Sequence, residues 1–231
     1  MAAKNSVKQF VSDSYYHLYN RGVEKRNIFL DTQDYQVFLS YLKTYLLPKD
    51  ILGLQASLAN PKIAWSEKDG ILKQLRLNNF SDRLQLIAHC LMPNHFHLLV
   101  HQREATIIDQ FMNSLFTRYV MYFNKKYKRV GPLFQGLYKA VLVLTDEQLL
   151  WLTRYIHANA LSLLQGTPLQ SYPYSSYPHY LKLRSEAWIH SDDVLSFFSK
   201  SNQLSHTYAD FVEQKIDEDA MHEQIGSLVL D

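Results

Sequence analysis

Three observations predict an α+β fold: a ferredoxin-like (RRM-like) antiparallel sheet with packed helices. Segments of period-two and period-3.6 hydrophobicity follow one another as strand, helix, strand, strand, helix, strand, the split β-α-β order. A tight Pro93-Asn94 turn joins the two middle strands. A further helix, with a capping signal at its start, follows the last core strand, and a helical C-terminal tail follows that helix.

The elements are read in order. Residues 15–20 (YYHLYN) are aromatic-rich and read as the first strand, which Gly22 breaks. Residues 31–47 read as a helix, with Asp31 as cap, Val37, Tyr41 and Tyr45 at helical spacing, and Pro48 as the stop. Residues 49–82 are interrupted by Gly53, Pro61, Gly70 and Asn78-Asn79 and read as an insertion with a short helix near 69–75. Residues 84–91 and 95–101 form a hairpin. Alternation puts Phe96, Leu98 and Val100 on one face and His95, His97, Leu99 and His101 on the other. A long helix spans about 106–128, and 137–144 reads as the last core strand. Residues 145–164 read as a helix opened by a Thr145/Gln148 capping box, with a buried stripe of Leu149, Leu152, Ile156, Ala160 and Leu163. The chain thus divides into a core at 1–165 and a partly helical, acidic extension at 166–231.

At 231 residues and 47% hydrophobic content the chain can bury a large core. Its single cysteine, Cys90, rules out an internal disulfide. It shows neither a secretory leader nor an apolar run of the roughly 20 residues that span a bilayer, so a cytoplasmic protein without a membrane partner is expected. The formal charge is +2, but it is unevenly placed. Residues 111–144 hold six cations, Arg118, Lys125, Lys126, Lys128, Arg129 and Lys139, and no carboxylate. Residues 186–231 hold ten carboxylates against Lys200 and Lys215. A basic centre beside an acidic tail suits a local polyanion site, although charge alone is better explained by two ordinary solvated faces.

Three groups of residues carry chemistry. His95 and His97 flank Phe96 on a strand, so their rings point the same way from α-carbons about 6–7 Å apart and can converge on one cation. In isolation such a pair is more often solvated or hydrogen-bonded. Tyr155 and Asn159 lie four apart on the capped helix and share a face beside the buried Ile156. A phenol can act as a nucleophile, and an amide oxygen one turn on can complete a cation site. With 16 tyrosines in the chain, packing is the ordinary role of any one. Arg118 to Tyr127, then Gly131 to Lys139, interleave cations with aromatics, the combination that single-stranded nucleic acid requires.

These residues, taken in order, resemble the REP-associated tyrosine transposases, a branch of the His-hydrophobic-His single-strand endonucleases. The resemblance runs from Tyr15 to Tyr180. It is carried by residues 16–22 (YHLYNRG), 91–100 (LMPNHFHLLV), 131–139 (GPLFQGLYK), 154–159 (RYIHAN) and 172–177 (YPYSSY). Leu137 stands where the family often has Arg, and Ala160 where Pro often follows the Asn. The resemblance implies that His95, His97 and Asn159 hold a divalent cation, Mg²⁺ or Mn²⁺, and that Tyr155 is the nucleophile. It implies single-stranded DNA with hairpin-forming, palindromic repeats as the partner. The expected DNA contacts are Arg21, Arg118, Lys125, Lys126, Lys128, Arg129, Gln135, Tyr138 and Lys139. The reaction implied is cleavage to a 5′-phosphotyrosine and rejoining by transesterification, in a monomer or a homodimer. Two rival readings are a non-catalytic single-strand-binding module of RRM-like fold and a structural zinc protein using His89 or Cys90, whose spacing fits no common zinc knuckle.

Overall fold

A computed structural model describes residues 10–200, 207–214 and 225–226. In chain order it comprises β1 (Ser14–Arg21), α1 (Thr32–Leu46), α2 (Ile51–Ala59), α3 (Trp65–Arg76), β2 (Leu84–Met92), β3 (His95–Gln102), α4 (Ile107–Lys126), β4 (Lys139–Leu142), α5 (Asp146–Ala158), α6 (Tyr177–Tyr180), α7 (Asp192–Lys200) and α8 (Tyr208–Glu213). The four strands form one antiparallel sheet of order β2-β3-β1-β4. This is the ferredoxin-like arrangement that the element order predicts.

Both faces of the sheet are covered, which is why β3 is buried along most of its length. α1 and α4 pack on one face. Phe96 meets Phe38 of α1 at 5.5 Å between ring centroids and Phe116 of α4 at 5.8 Å. α5 lies on the other face, against β2 and β3. The C-terminal extension closes the β2 edge. Leu91 N–H donates to Tyr174 O, Ser176 N–H to His89 O and His190 N–H to Leu86 O, so an exposed ladder is replaced by internal bonds.

Four sequence expectations need correction. Residues 49–82 hold two helices, α2 and α3, rather than one short one. α2 buries no residue, so its pattern carried no amphipathic signal. The last strand spans four residues instead of 137–144, because Gly136 turns the chain at φ 68° and Leu137 and Leu144 face solvent. The 145–164 helix gives way to a 3₁₀ turn at Asn159–Leu163, and Leu163 is exposed rather than part of the buried stripe. Of the acidic tail, Asp217, Glu218, Asp219, Glu223 and Asp231, like Lys215, lie outside the described residues. No helix among the described residues is long and apolar enough to cross a membrane.

Candidate active site

The hairpin tip is fixed before any site residue is considered. Met92 pairs directly with His95, leaving Pro93-Asn94 as a two-residue loop. The connection after β1 wraps this loop. Ile28 and Phe29 N–H both donate to Pro93 O, and Gly22 N–H donates to Asn94 O at 2.8 Å. The chain turns so closely here that a Cβ on Gly22 would lie 2.1 Å from Arg26 O, which only glycine permits.

From this tip His95 and His97 project toward α5. Their ring centroids are 5.0 Å apart and nearly perpendicular. Tyr155 joins them from α5, 5.4 Å from the His97 ring. α5 is started by Thr145, whose side chain accepts from Gln148 N–H, while Gln148 Oε1 accepts from Leu144 N–H. Leu149, Leu152 and Ile156 then seat the helix and hold Tyr155 at the edge of the packed seam, partly exposed. Asn159 caps the helix: its Nδ2 donates to Tyr155 O at 2.8 Å. The Asn159 side chain also meets the His95 ring. The four residues nominated from sequence therefore meet in one place.

The two histidines present their nitrogens in the same manner. His95 Nδ1–H donates to Asn94 Oδ1 at 2.7 Å, so Nε2 faces the site. His97 Nδ1 lies 2.9 Å from His17 Nε2, and His97 Nε2 is buried without a hydrogen-bond partner. A buried ring nitrogen left unpaired is costly unless something binds it. Two imidazole Nε2 atoms and an amide oxygen, with each Nδ1 tied back to the protein, make a donor set that fits a divalent cation. Among the described residues no three His, Cys, Asp or Glu side chains form such a group, so a third protein ligand beside the two histidines would have to be of another type, such as the Asn159 amide. Burial lowers both histidine pKa values below the ordinary 6.5. For His97, His17 and His95 add to the effect. For His95, Asn159 works against it and Arg21 adds to it. Both rings are thus held neutral, the form that ligates metal.

His17 and Tyr19 are site neighbours that the sequence reading missed. His17 is fully buried, 5.1 Å from His97 and 6.4 Å from Tyr155 between centroids. Tyr19 pairs directly with His97. The signal was present: with the ferredoxin-like order β1 lies beside β3, and alternation puts His17, Tyr19 and Arg21 on the histidine face.

The nine expected DNA contacts separate into three groups. Arg21 pairs with His95 in the sheet, and its Nε donates to exposed Gln135 at 2.6 Å. Exposed Lys139 pairs with Tyr19, on the same face as His97. Lys125 and Lys128 are exposed at the end of α4. The remaining four have partners within the fold. Arg118 stacks on Tyr41 at 3.9 Å, on the α1/α4 side of the sheet. Lys126 is ion-paired with Asp31 and Asp34. Arg129 bonds Asn124. Tyr138 is buried, with its hydroxyl donating to Asp109. Elsewhere, His101 pairs with Asp13 at the far end of β3. Burial pushes the Cys90 thiol up to about 12, which disfavours a thiolate zinc ligand. The sheet face that an RRM-like binding module leaves open is occupied here by α5.

Comparison with known proteins agrees with this picture. A model of the family "Transposase IS200 like" matches residues 70–159, which run from α3 through both histidines to Asn159. No curated protein matches the chain. Among solved structures the chain is similar to a REP-associated tyrosine transposase bound to a REP hairpin, with a TM-score of 0.48 and 11% identity over 92% of this chain and 99% of that one. It is also similar to a protein assigned as a transposase from Deinococcus radiodurans R1, with a TM-score of 0.28 and 17% identity over 66% of this chain and 95% of that one. Both scores are below 0.5, so the fold assignment stands on strand order and register.

Proposed function

We propose, for a chain whose residues 70–159 match the model of the IS200-like transposase family, that its chemistry is single-strand DNA cleavage and rejoining with Tyr155 as nucleophile. The observation that carries this reading is the meeting of His95, His97, Tyr155 and Asn159 around a buried, unpartnered His97 Nε2. His95, His97 and Asn159 would hold a divalent cation, Mg²⁺ or Mn²⁺. When bound, the cation would polarise a non-bridging oxygen of the scissile phosphate and offset charge in the transition state.

The chain's own residues do the rest. The Tyr155 oxygen attacks phosphorus in line. The new O–P bond forms as the bond to the 3′ oxygen breaks, leaving a 5′-phosphotyrosine and a free 3′-hydroxyl. This polarity follows from the motif resemblance. Reversal by another 3′-hydroxyl rejoins strands without a nucleotide cofactor, because the tyrosyl ester conserves the phosphodiester bond. Arg21, Gln135 and Lys139 line the approach, with Lys125 and Lys128 further out, and supply phosphate contacts that position a single strand. The substrate we propose is single-stranded DNA beside a hairpin-forming repeat.

The test is to incubate the protein with labelled single-stranded DNA carrying such a repeat and Mn²⁺, then look for a denaturation-resistant protein–DNA adduct. We expect an adduct with the native chain and none with Tyr155→Phe, which loses only the nucleophilic oxygen. An adduct that persists in Tyr155→Phe would transfer the role to another tyrosine. Tight binding without an adduct, across metals and repeats, would overturn the enzymatic reading.

A further inference from the structure

We propose that His17 is a positioning residue for His97, accepting the Nδ1–H bond that fixes His97 in the tautomer presenting Nε2 to a cation. The inference rests on the reading of His97 as a metal ligand given above. His17 sits diagonally from His97 across the β1–β3 ladder: Leu99 is directly opposite His17, and Tyr19 is directly opposite His97. Diagonal neighbours on one sheet face are within reach of long side chains. The two rings lie at 20° with Nε2···Nδ1 at 2.9 Å, and both are fully buried.

The hydrogen bond allows two proton arrangements. In the first, His17 Nε2–H donates to His97 Nδ1, and the His97 proton sits on Nε2. That places a buried N–H where no acceptor is found and removes the lone pair needed to bind a cation. In the second, His97 Nδ1–H donates to His17 Nε2, and the unpartnered His97 Nε2 becomes a lone pair aimed at the site. The second arrangement removes the unpaired donor and creates the ligand together. His17 then acts as the outer partner that a metal-binding histidine ordinarily finds in a carboxylate or carbonyl. Its ring is confined by Tyr19 at 4.7 Å and Tyr155 at 6.4 Å, so the acceptor is held in place.

The experiment uses the full chain and two readouts besides cleavage. Mn²⁺ affinity is measured from the free-ion EPR signal, and the His97 tautomer from long-range ¹H–¹⁵N NMR of the metal-free protein. The variants are His17→Leu, which removes the acceptor, and His17→Gln, whose amide oxygen can occupy nearly the place of Nε2. His97→Ala is the reference. We expect the native His97 to carry its proton on Nδ1. We expect His17→Leu to bind Mn²⁺ about 10- to 100-fold more weakly with loss of the Nδ1–H tautomer, and His17→Gln to recover most of both. A native His97 protonated on Nε2 would overturn the proposal, even if His17→Leu failed to fold. So would native Mn²⁺ affinity in His17→Leu alongside lost affinity in His97→Ala. Native affinity in His97→Ala would instead remove the metal reading itself, and this inference with it.

Discussion

Replacing Lys126 with Met separates two roles that a basic residue near a nucleic-acid site can have. Lys126 Nζ lies 2.8 and 2.7 Å from the Asp31 carboxylate oxygens and 2.8 Å from Asp34 Oδ1. Asp34 is fully buried and accepts four hydrogen bonds: from Lys126, from Tyr122 at 2.9 Å, from Tyr127 at 2.8 Å and from Leu30 N–H at 2.8 Å. Burial alone would raise the Asp34 pKa, but Lys126, Leu30 N–H and the two phenols outweigh it and hold the carboxyl below its ordinary 3.8. Lys126→Met removes the ammonium and leaves three neutral donors. A hydrogen bond to a charged group contributes about 1.5–3 kcal/mol. Stripping the partner from a buried ion commonly costs about 3–5 kcal/mol, and the remaining donors keep the loss at the low end. A destabilisation of about 2 kcal/mol follows. For a domain of this size that lowers Tm by roughly 4–8 °C.

The paired assay is thermal unfolding together with the salt dependence of single-strand binding, read by fluorescence anisotropy. Lys126→Met should lower Tm and leave the salt slope intact. Exposed Lys125→Met should do the reverse, staying within about 0.5 kcal/mol in stability and reducing the slope by about 0.7 if it meets a phosphate. The pH dependence has a definite sign. The folded Asp34 pKa lies below its unfolded value, so the stabilisation is present above the ordinary carboxyl value and fades as pH falls through the folded one. The native protein and Lys126→Met should therefore converge in acid. A variant with native Tm and a reduced salt slope would refute this assignment and return Lys126 to the DNA surface.

Three further outcomes are expected. Burial lowers His89 to about 3 and holds His157 well below 6.5, so the unfolded chain takes up protons first and stability should fall as pH drops below 6.5. Tm should decline from pH 7 to pH 5, less steeply in His89→Gln, and a flat native profile would contradict the burial of these rings. Thr145→Ala removes the cap of α5 and should cost about 1 kcal/mol in chemical denaturation, with no loss expected if the helix start is held by other contacts. Arg21→Met should reduce the salt slope of DNA binding by about 0.7 with little change in Tm, since its side chain meets only exposed Gln135 among the contacts described.

The parts of this fold that were legible in the sequence are those where local signals and tertiary packing agree. The hairpin at Pro93-Asn94, the capped start of α5 and the Asp31 cap of α1 are local chemistry, and each falls where its residues place it. What was not legible depends on pairing across distance. The basic run ending α4 looks like a phosphate-binding face until the fold brings Asp31 and Asp34 to Lys126, about ninety positions earlier in the chain. Arg118 and Tyr138 are likewise decided by Tyr41 and Asp109, contacts that composition does not reveal. α2 escaped notice because a helix with no buried face has no amphipathic period to detect. His17 escaped because an isolated histidine in a strand acquires meaning only once β1 is placed beside β3.

The alternation of β3 explains how one short segment can serve both the core and the site. Phe96 lies between the two histidines and points the other way, into the aromatic packing of α1, α4 and Phe134. The residue that fixes the strand thus spends none of its surface on the histidine face. α5 has the same division of labour. Ile156 and Leu152 seat it on the sheet, while His157, one residue past Ile156, binds Tyr208 of α8 through Nδ1 and Ser176 through Nε2, both at 2.7 Å. Arg154 donates to Gln214 O at 2.7 Å, and Trp151 packs on Phe211. The C-terminal extension therefore grips α5 through Trp151, Arg154 and His157. With the hairpin tip clamped by the chain after β1 and the tyrosine helix clamped by the chain after α6, the two halves of the site are set by separate anchors. A site made of two anchored halves needs little reorganisation to align its groups, which is the condition for preorganised chemistry.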